Sequence, residues 1–132
     1  TFVQVGLNDL DPAESAATAL GRYQSLINSI RAGVGSNKIF TCTMNPCKQR
    51  LIDLYGAVNG LVSYQKWLDM NEAIKGNGAN AITGMDGFVS SHTDSLNDGN
   101  GNLAATYDSG DHIHENNAGR QVIANAWKTK MI

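Results

Sequence analysis

Asp111 and His114 stand three residues apart in residues 107–120, a polar, glycine-containing stretch that reads as a loop. A carboxylate that hydrogen-bonds an imidazole fixes the ring tautomer and leaves the other ring nitrogen as a general base. The spacing therefore offers two members of a catalytic triad, with the serine still to be found. Ser109 is near in sequence but lacks the strand-to-helix elbow that exposes a nucleophile. A second polar pair, Asn8 and Asp9, follows an apolar run at the other end of the chain. The bland reading is an Asx turn that caps the next helix, and Asp9 is structural even where Asn8 is functional.

These residues need elements to hold them. Phe2, Val3 and Val5 read as a strand closing at Gly6. Asp11, Pro12 and Glu14 read as cap, first helical position and capping-box partner of a helix running to about Arg31. Residues 38–44 read as a second strand. Residues 48–75 read as a long helical stretch that Gly56 and Gly60 break or bend into two helices. A third, weaker strand is expected over residues 81–85 with Phe88 and Val89, followed by a loop over residues 90–101 in which His92 is exposed. Ala118, Val122, Ile123, Ala126 and Trp127 recur at helical spacing and predict a closing helix with one buried face. Strands alternating with helices imply an α/β fold, a parallel sheet covered by helices, with functional residues at the carboxyl ends of its strands. That topology brings Asn8 and the Asp111–His114 segment to one edge.

The 132 residues fit one domain, and a net charge of -2 with no basic face disfavours nucleic acid as a partner. No apolar run approaches a membrane span, and no signal-peptide pattern is present. A chain opening directly on a strand has the form of a mature secreted protein or of an excised fragment, with an extracellular setting slightly favoured. Cys42 and Cys47 fit either a local disulfide or two buried free thiols, and they make no zinc site. The run from Asp98 begins like a calcium loop but has Leu103 and Ser109 where glycine and an acidic residue belong. His112 and His114 in alternation are a thin basis for zinc. Trp67, Trp127 and Tyr23 keep helical spacing with aliphatic residues and read as core.

The stretch Val5-Gly6-Leu7-Asn8-Asp9 after a strand resembles the Gly-x-Asn-Asp block of the SGNH (GDSL-type) hydrolases. Asp111-x-x-His114, followed by a helix through residues 118–121, resembles that family's last block. The resemblance covers nearly the whole chain and implies a three-layer α/β/α sandwich, flavodoxin-like, of which only the C-terminal strands and helices are here. It implies His114 as general base, Asp111 as its orienting carboxylate, Asn8 as an oxyanion-hole donor and Gly6 as the turn that supports it. The family's Gly-Asp-Ser nucleophile block and its second oxyanion donor, a glycine, have no counterpart in the sequence. His112 replaces the usual glycine after the aspartate, and Glu115 the usual proline after the histidine.

The expectation is therefore that residues 1–132 are the C-terminal part of a single SGNH-like domain. The implied function is serine-esterase chemistry on a carbohydrate or lipid ester, such as an O-acetyl group, without cofactor or metal. The nucleophile would come from an N-terminal segment or a second chain. The absent first strand would leave the Phe2–Val5 strand at an open edge. The competing expectation is a non-catalytic carbohydrate-binding or interaction domain built on the same fold.

Overall fold

The computed structural model describes residues 1–131. Three short strands, β1 (Phe2–Val3), β2 (Phe40–Cys42) and β3 (Gly87–Val89), form a parallel sheet in the order β1-β2-β3. Phe2 stands opposite Phe40 and Val3 opposite Thr41; Phe40, Thr41 and Cys42 stand opposite Gly87, Phe88 and Val89. Parallel neighbours need crossover connections. α1 (Ala16–Val34) supplies the first, and α2 (Lys48–Ile74) the second. A short α3 (Ser91–Leu96) and the closing α4 (Asn117–Lys128) complete the chain.

Strand alternation sorts the side chains by face. Val3 joins Leu20, Tyr23 and Ile27 of α1 and Trp67, Met70 and Ile74 of α2 in the main core. The Thr41 hydroxyl donates to the Ile74 carbonyl on that same side. Phe2, Phe40 and Cys42 instead pack with Val89, Ala126 and Trp127. Phe2 stacks between Phe40 and Trp127, at centroid distances of 5.5 and 5.2 Å. Helices thus cover both faces of the sheet, and β1 occupies one edge.

Several boundaries differ from the sequence expectation for physical reasons. β1 stops at Val3, because Gln4 turns its amide to the Thr43 carbonyl and Val5 is 41% exposed. Asp11 does not cap α1. It accepts from Ala13 N in a turn, and Ser15 is the cap, accepting from Thr18 N at 3.1 Å. Glu14 is spent on Arg22 and Lys66. Residues 81–85 are not a strand: Ile82 N donates to the Ala73 carbonyl, so the segment closes the C-terminal end of α2. Residues 90–101 contain α3, and His92 within it is fully buried instead of exposed.

Of the two glycines in the long helix only Gly56 bends it, with φ 77° and ψ 168° that side-chain-bearing residues avoid. Gly60 stays helical and is buried where the bent limbs meet: an added Cβ would lie 2.6 Å from Ile52 Cα. Cys42 and Cys47 are both free, and burial pushes each thiol up to about 12. No helix among the described residues is long and apolar enough to cross a membrane.

Candidate active site

The segment after β1 makes one 3-10 turn, Leu7–Asp9, entered through Gly6 at φ 115°. A Cβ at Gly6 would lie 3.0 Å from Met44 Sδ, so both backbone angle and space call for glycine. The turn is closed by Asp9 N donating to the Gly6 carbonyl at 2.9 Å. It leaves Asn8 exposed, with no hydrogen bond from its side-chain amide among the described residues. Asp9 pairs with Arg22 at 2.5 Å and so tethers the turn to α1.

The opposite wall comes from the loop before α4. Asn116 caps that helix, accepting from Ala118 N and Gly119 N. Ahead of it the loop is built from two Asx turns in series. Asp108 Oδ1 accepts from the backbone N–H of Gly110, Asp111 and His112. Asp111 Oδ1 accepts from the N–H of Ile113 and His114. Each carboxylate has one oxygen left, and each takes a histidine ring. Asp108 Oδ2 holds His112 Nδ1 at 2.9 Å, and Asp111 Oδ2 holds His114 Nδ1 at 2.5 Å.

In the second pair a carboxylate holds one ring nitrogen of an exposed histidine. The His114 ring N–H, with the backbone N–H groups behind it, holds the Asp111 carboxyl well below the usual carboxylate range. Asp111 therefore remains an anion, acceptor only, which keeps the proton of a neutral His114 on Nδ1. Nε2 is then a free lone pair on a side chain that is 75% exposed. His112 has φ 64°, a left-handed angle unusual outside glycine, and its bond to Asp108 holds it there.

His114, Asn8 and Gly6 line one cleft of about 680 Å³, with Gln4, Met44, Asn45 and Leu51 at its floor and sides. Arg50 and Glu115 add one charge of each sign to its wall. The structure thus brings the Asn8 turn and the His114 ring of the Asp111–His114 pair to one cleft. It does not bring Ser109 with them: that hydroxyl donates to Asp111 Oδ1 at 3.5 Å, and Ser109 does not line the cleft. No serine, threonine or cysteine lines the cleft among the described residues.

Asp98 spends its carboxylate on Asn100 N, Asn102 N and the Asn102 amide. Among the described residues no group of three or more His, Cys, Asp or Glu side chains is placed to hold a metal ion. Sequence reasoning missed His92, whose Nε2 lies 2.9 Å from the Thr43 carbonyl beneath the cleft. Its one available signal was Leu96, four residues on and also fully buried, which puts both on one helical face. Asn45 and Arg50 carried no such signal.

Fold and site define an α/β protein with a parallel sheet, carrying an Asp–His pair and a free amide at one cleft. The chain is similar to a solved structure that carries the name platelet activating factor, from Streptococcus pneumonia, at a TM-score of 0.73 and 21% identity. The match takes in 99% of this chain and 58% of that one, so the chain spans a little over half the length of its structural neighbour. No family model matches the sequence, and no curated protein does. At this identity the likeness shows the fold.

Proposed function

We propose that residues 1–132 form the C-terminal part of an SGNH-type serine esterase acting on carboxylic esters, among them O-acetyl groups on carbohydrate and lipid esters. The three-layer α/β/α sandwich of that family is part of the proposal. One observation carries it: the Asp111-held His114 and the free Asn8 amide open onto the same cleft.

In this reading a serine from a preceding segment or a second chain enters the cleft beside His114 Nε2. The imidazole takes the hydroxyl proton as the oxygen attacks the ester carbonyl. Asn8 donates to the oxyanion of the tetrahedral intermediate, and Asp111 stabilises the imidazolium through Nδ1. The imidazolium then protonates the departing alcohol, leaving an acyl-serine that water cleaves by the same steps in reverse roles. Neither metal nor cofactor is required. The edge position of β1 supports the reading, because an added strand has backbone to pair with there.

A specific observation favours the second reading, a non-catalytic carbohydrate-binding or interaction domain: no serine, threonine or cysteine lines the cleft among the described residues. Turnover of p-nitrophenyl acetate separates the two. The esterase reading expects hydrolysis by the polypeptide that includes the sequence upstream of Thr1, and its loss in His114→Ala. Absence of turnover from that folded polypeptide would sink the esterase reading.

A further inference from the structure

Behind the cleft, the segment after β2 is held in a buried polar network. The Thr43 carbonyl lies 3.0 Å from Gln4 Nε2 and 2.9 Å from His92 Nε2. A carbonyl only accepts, so both neighbours must donate. That assigns the Gln4 amide orientation and puts the His92 proton on Nε2. Gln4 Nε2 also lies 3.3 Å from the Asn45 side chain, and a donor there must meet an oxygen. Asn45 therefore turns Oδ1 toward Gln4 and Nδ2 away from it.

The rest of Asn45 is equally fixed. Its backbone carbonyl accepts from Trp67 Nε1 at 2.9 Å. Asn71 Oδ1 takes Met44 N at 2.7 Å, which immobilises the preceding residue. Asn45 is 4% exposed, yet it lines the cleft. Its Nδ2 donates to nothing among the described residues, and it is not one of the unpartnered atoms sealed from solvent. An amide group held this rigidly in a residue that lines the cleft, with its oxygen used and its nitrogen unpaired among the described residues, leaves hydrogen-bonding capacity for a ligand to meet. An unpaired donor is costly to bury, so an acceptor oxygen placed there is favoured over an apolar group.

We infer that Asn45 Nδ2 is a substrate-binding donor in this cleft, recognising an oxygen of the ester's acyl or alcohol portion, in addition to Asn8. The inference rests on reading the cleft as an ester site. Gln4 is a positioning residue, holding Asn45 Oδ1 with its amide, and His92 stands behind it on the same Thr43 carbonyl. The structural duties of Asn45 fall on Oδ1 and the backbone carbonyl, so its nitrogen is free for binding.

The test follows the side-chain amide signals of the 15N-labelled chain, residues 1–132, on titration with methyl butyrate. Saturable shifts of the Asn45 Nδ2 pair, together with Asn8 and the His114 ring, are expected. Asn45→Asp keeps the oxygen for Gln4 and removes the donor, and should weaken methyl butyrate binding about tenfold or more. Asn8 and His114 shifting while the Asn45 amide stays still would overturn the inference and leave the esterase reading standing. Unchanged affinity in Asn45→Asp would do the same. No response from any of the three would overturn the inference, while turnover by the polypeptide that includes the sequence upstream of Thr1 still decides the esterase reading. The measurement on the unsubstituted chain decides even if the variant does not fold.

Discussion

Gly60→Ala is the substitution whose cost can be worked most directly from the geometry of α2. An added Cβ would lie 2.6 Å from Ile52 Cα and 2.8 Å from both Ile52 N and Leu51 O. All three are backbone atoms, so one limb of the bent helix has to move as a unit. Overpacking typically costs about 1–3 kcal/mol, and a backbone obstruction belongs in the upper half of that range. Alanine's better helix propensity returns about 1 kcal/mol. The net expectation is a loss of about 1–2 kcal/mol. Gly21 in α1 is the internal control, since a Cβ there meets nothing within 4 Å. Gly21→Ala should gain about 0.5–1 kcal/mol through the same propensity. Urea unfolding of both variants, compared by midpoint at equal slope, reads the difference. Stabilisation by both substitutions would refute the close approach of the two limbs. The consequence reaches the cleft, because Leu51, Leu54 and Tyr55 on the first limb line it.

Other expectations follow from the site and the core. On the esterase reading, Asp111→Asn in a polypeptide that turns over p-nitrophenyl acetate should lower kcat by about 10⁴, as loss of the tautomer-fixing carboxylate does elsewhere. Retention of a large share of activity would remove Asp111 from its orienting role. Burial depresses the His92 pKa, so the unfolded chain binds that proton more readily than the folded one. The stability His92 confers is then complete above about pH 6.5, the ordinary imidazole value, and declines as pH falls from there. Urea midpoints that stay level from pH 7 to 5 would contradict this, and His92→Gln should flatten the wild-type slope. A further decline is expected below about pH 4. There the folded protein resists protonation of Asp86, held down by the Ile39 N–H and Arg31, and of Glu72, held down by Lys75. With thiols pushed up to about 12 by burial, Cys42 and Cys47 should resist iodoacetamide in the folded protein at pH 8 and react in urea. Rapid native alkylation of either would show the core around it to be open.

The long amphipathic elements and the punctuation around them were readable from the sequence, and the short ones were not. α1 and α4 declared themselves through apolar residues at helical spacing, and Tyr23, Ile27, Ile123 and Ala126 are buried as that spacing requires. Strands of two or three residues are too short to carry a period. The apolar content of residues 81–85 therefore looked as strand-like as Gly87–Val89. Tertiary bonds made the choice: Ile82 N closes on Ala73, and Phe88 pairs in register with Thr41. α3, Ser-His-Thr-Asp-Ser-Leu, is polar enough to read as loop, which hid the burial of His92. Gly60 was a different kind of miss. A glycine in a helical pattern reads as a break, but here it is a point of contact that only the bend at Gly56 creates.

For the candidate site, the local geometry of Asp111, His114 and Gly6 was legible: an Asx turn, a ring three residues on, and a glycine before the turn that carries Asn8. Asn45 was illegible because its role comes from partners distant in sequence, Gln4 and Trp67. His112 shows both sides of this limit. The sequence marks it as an unusual residue for its place, and the structure adds that it sits at φ 64° with Asp108 as its anchor.

Fluorophosphonate labelling of the polypeptide that includes the sequence upstream of Thr1, or of this chain with whatever co-purifies, bears most closely on the proposed esterase. Mass spectrometry under denaturing conditions then locates the adduct. The expected result is one modified serine outside residues 1–132, with labelling lost in His114→Ala. An adduct on Ser109 or any other serine within residues 1–132 would contradict the assignment of the nucleophile. No adduct on folded protein would contradict the esterase itself and leave the interaction domain in its place.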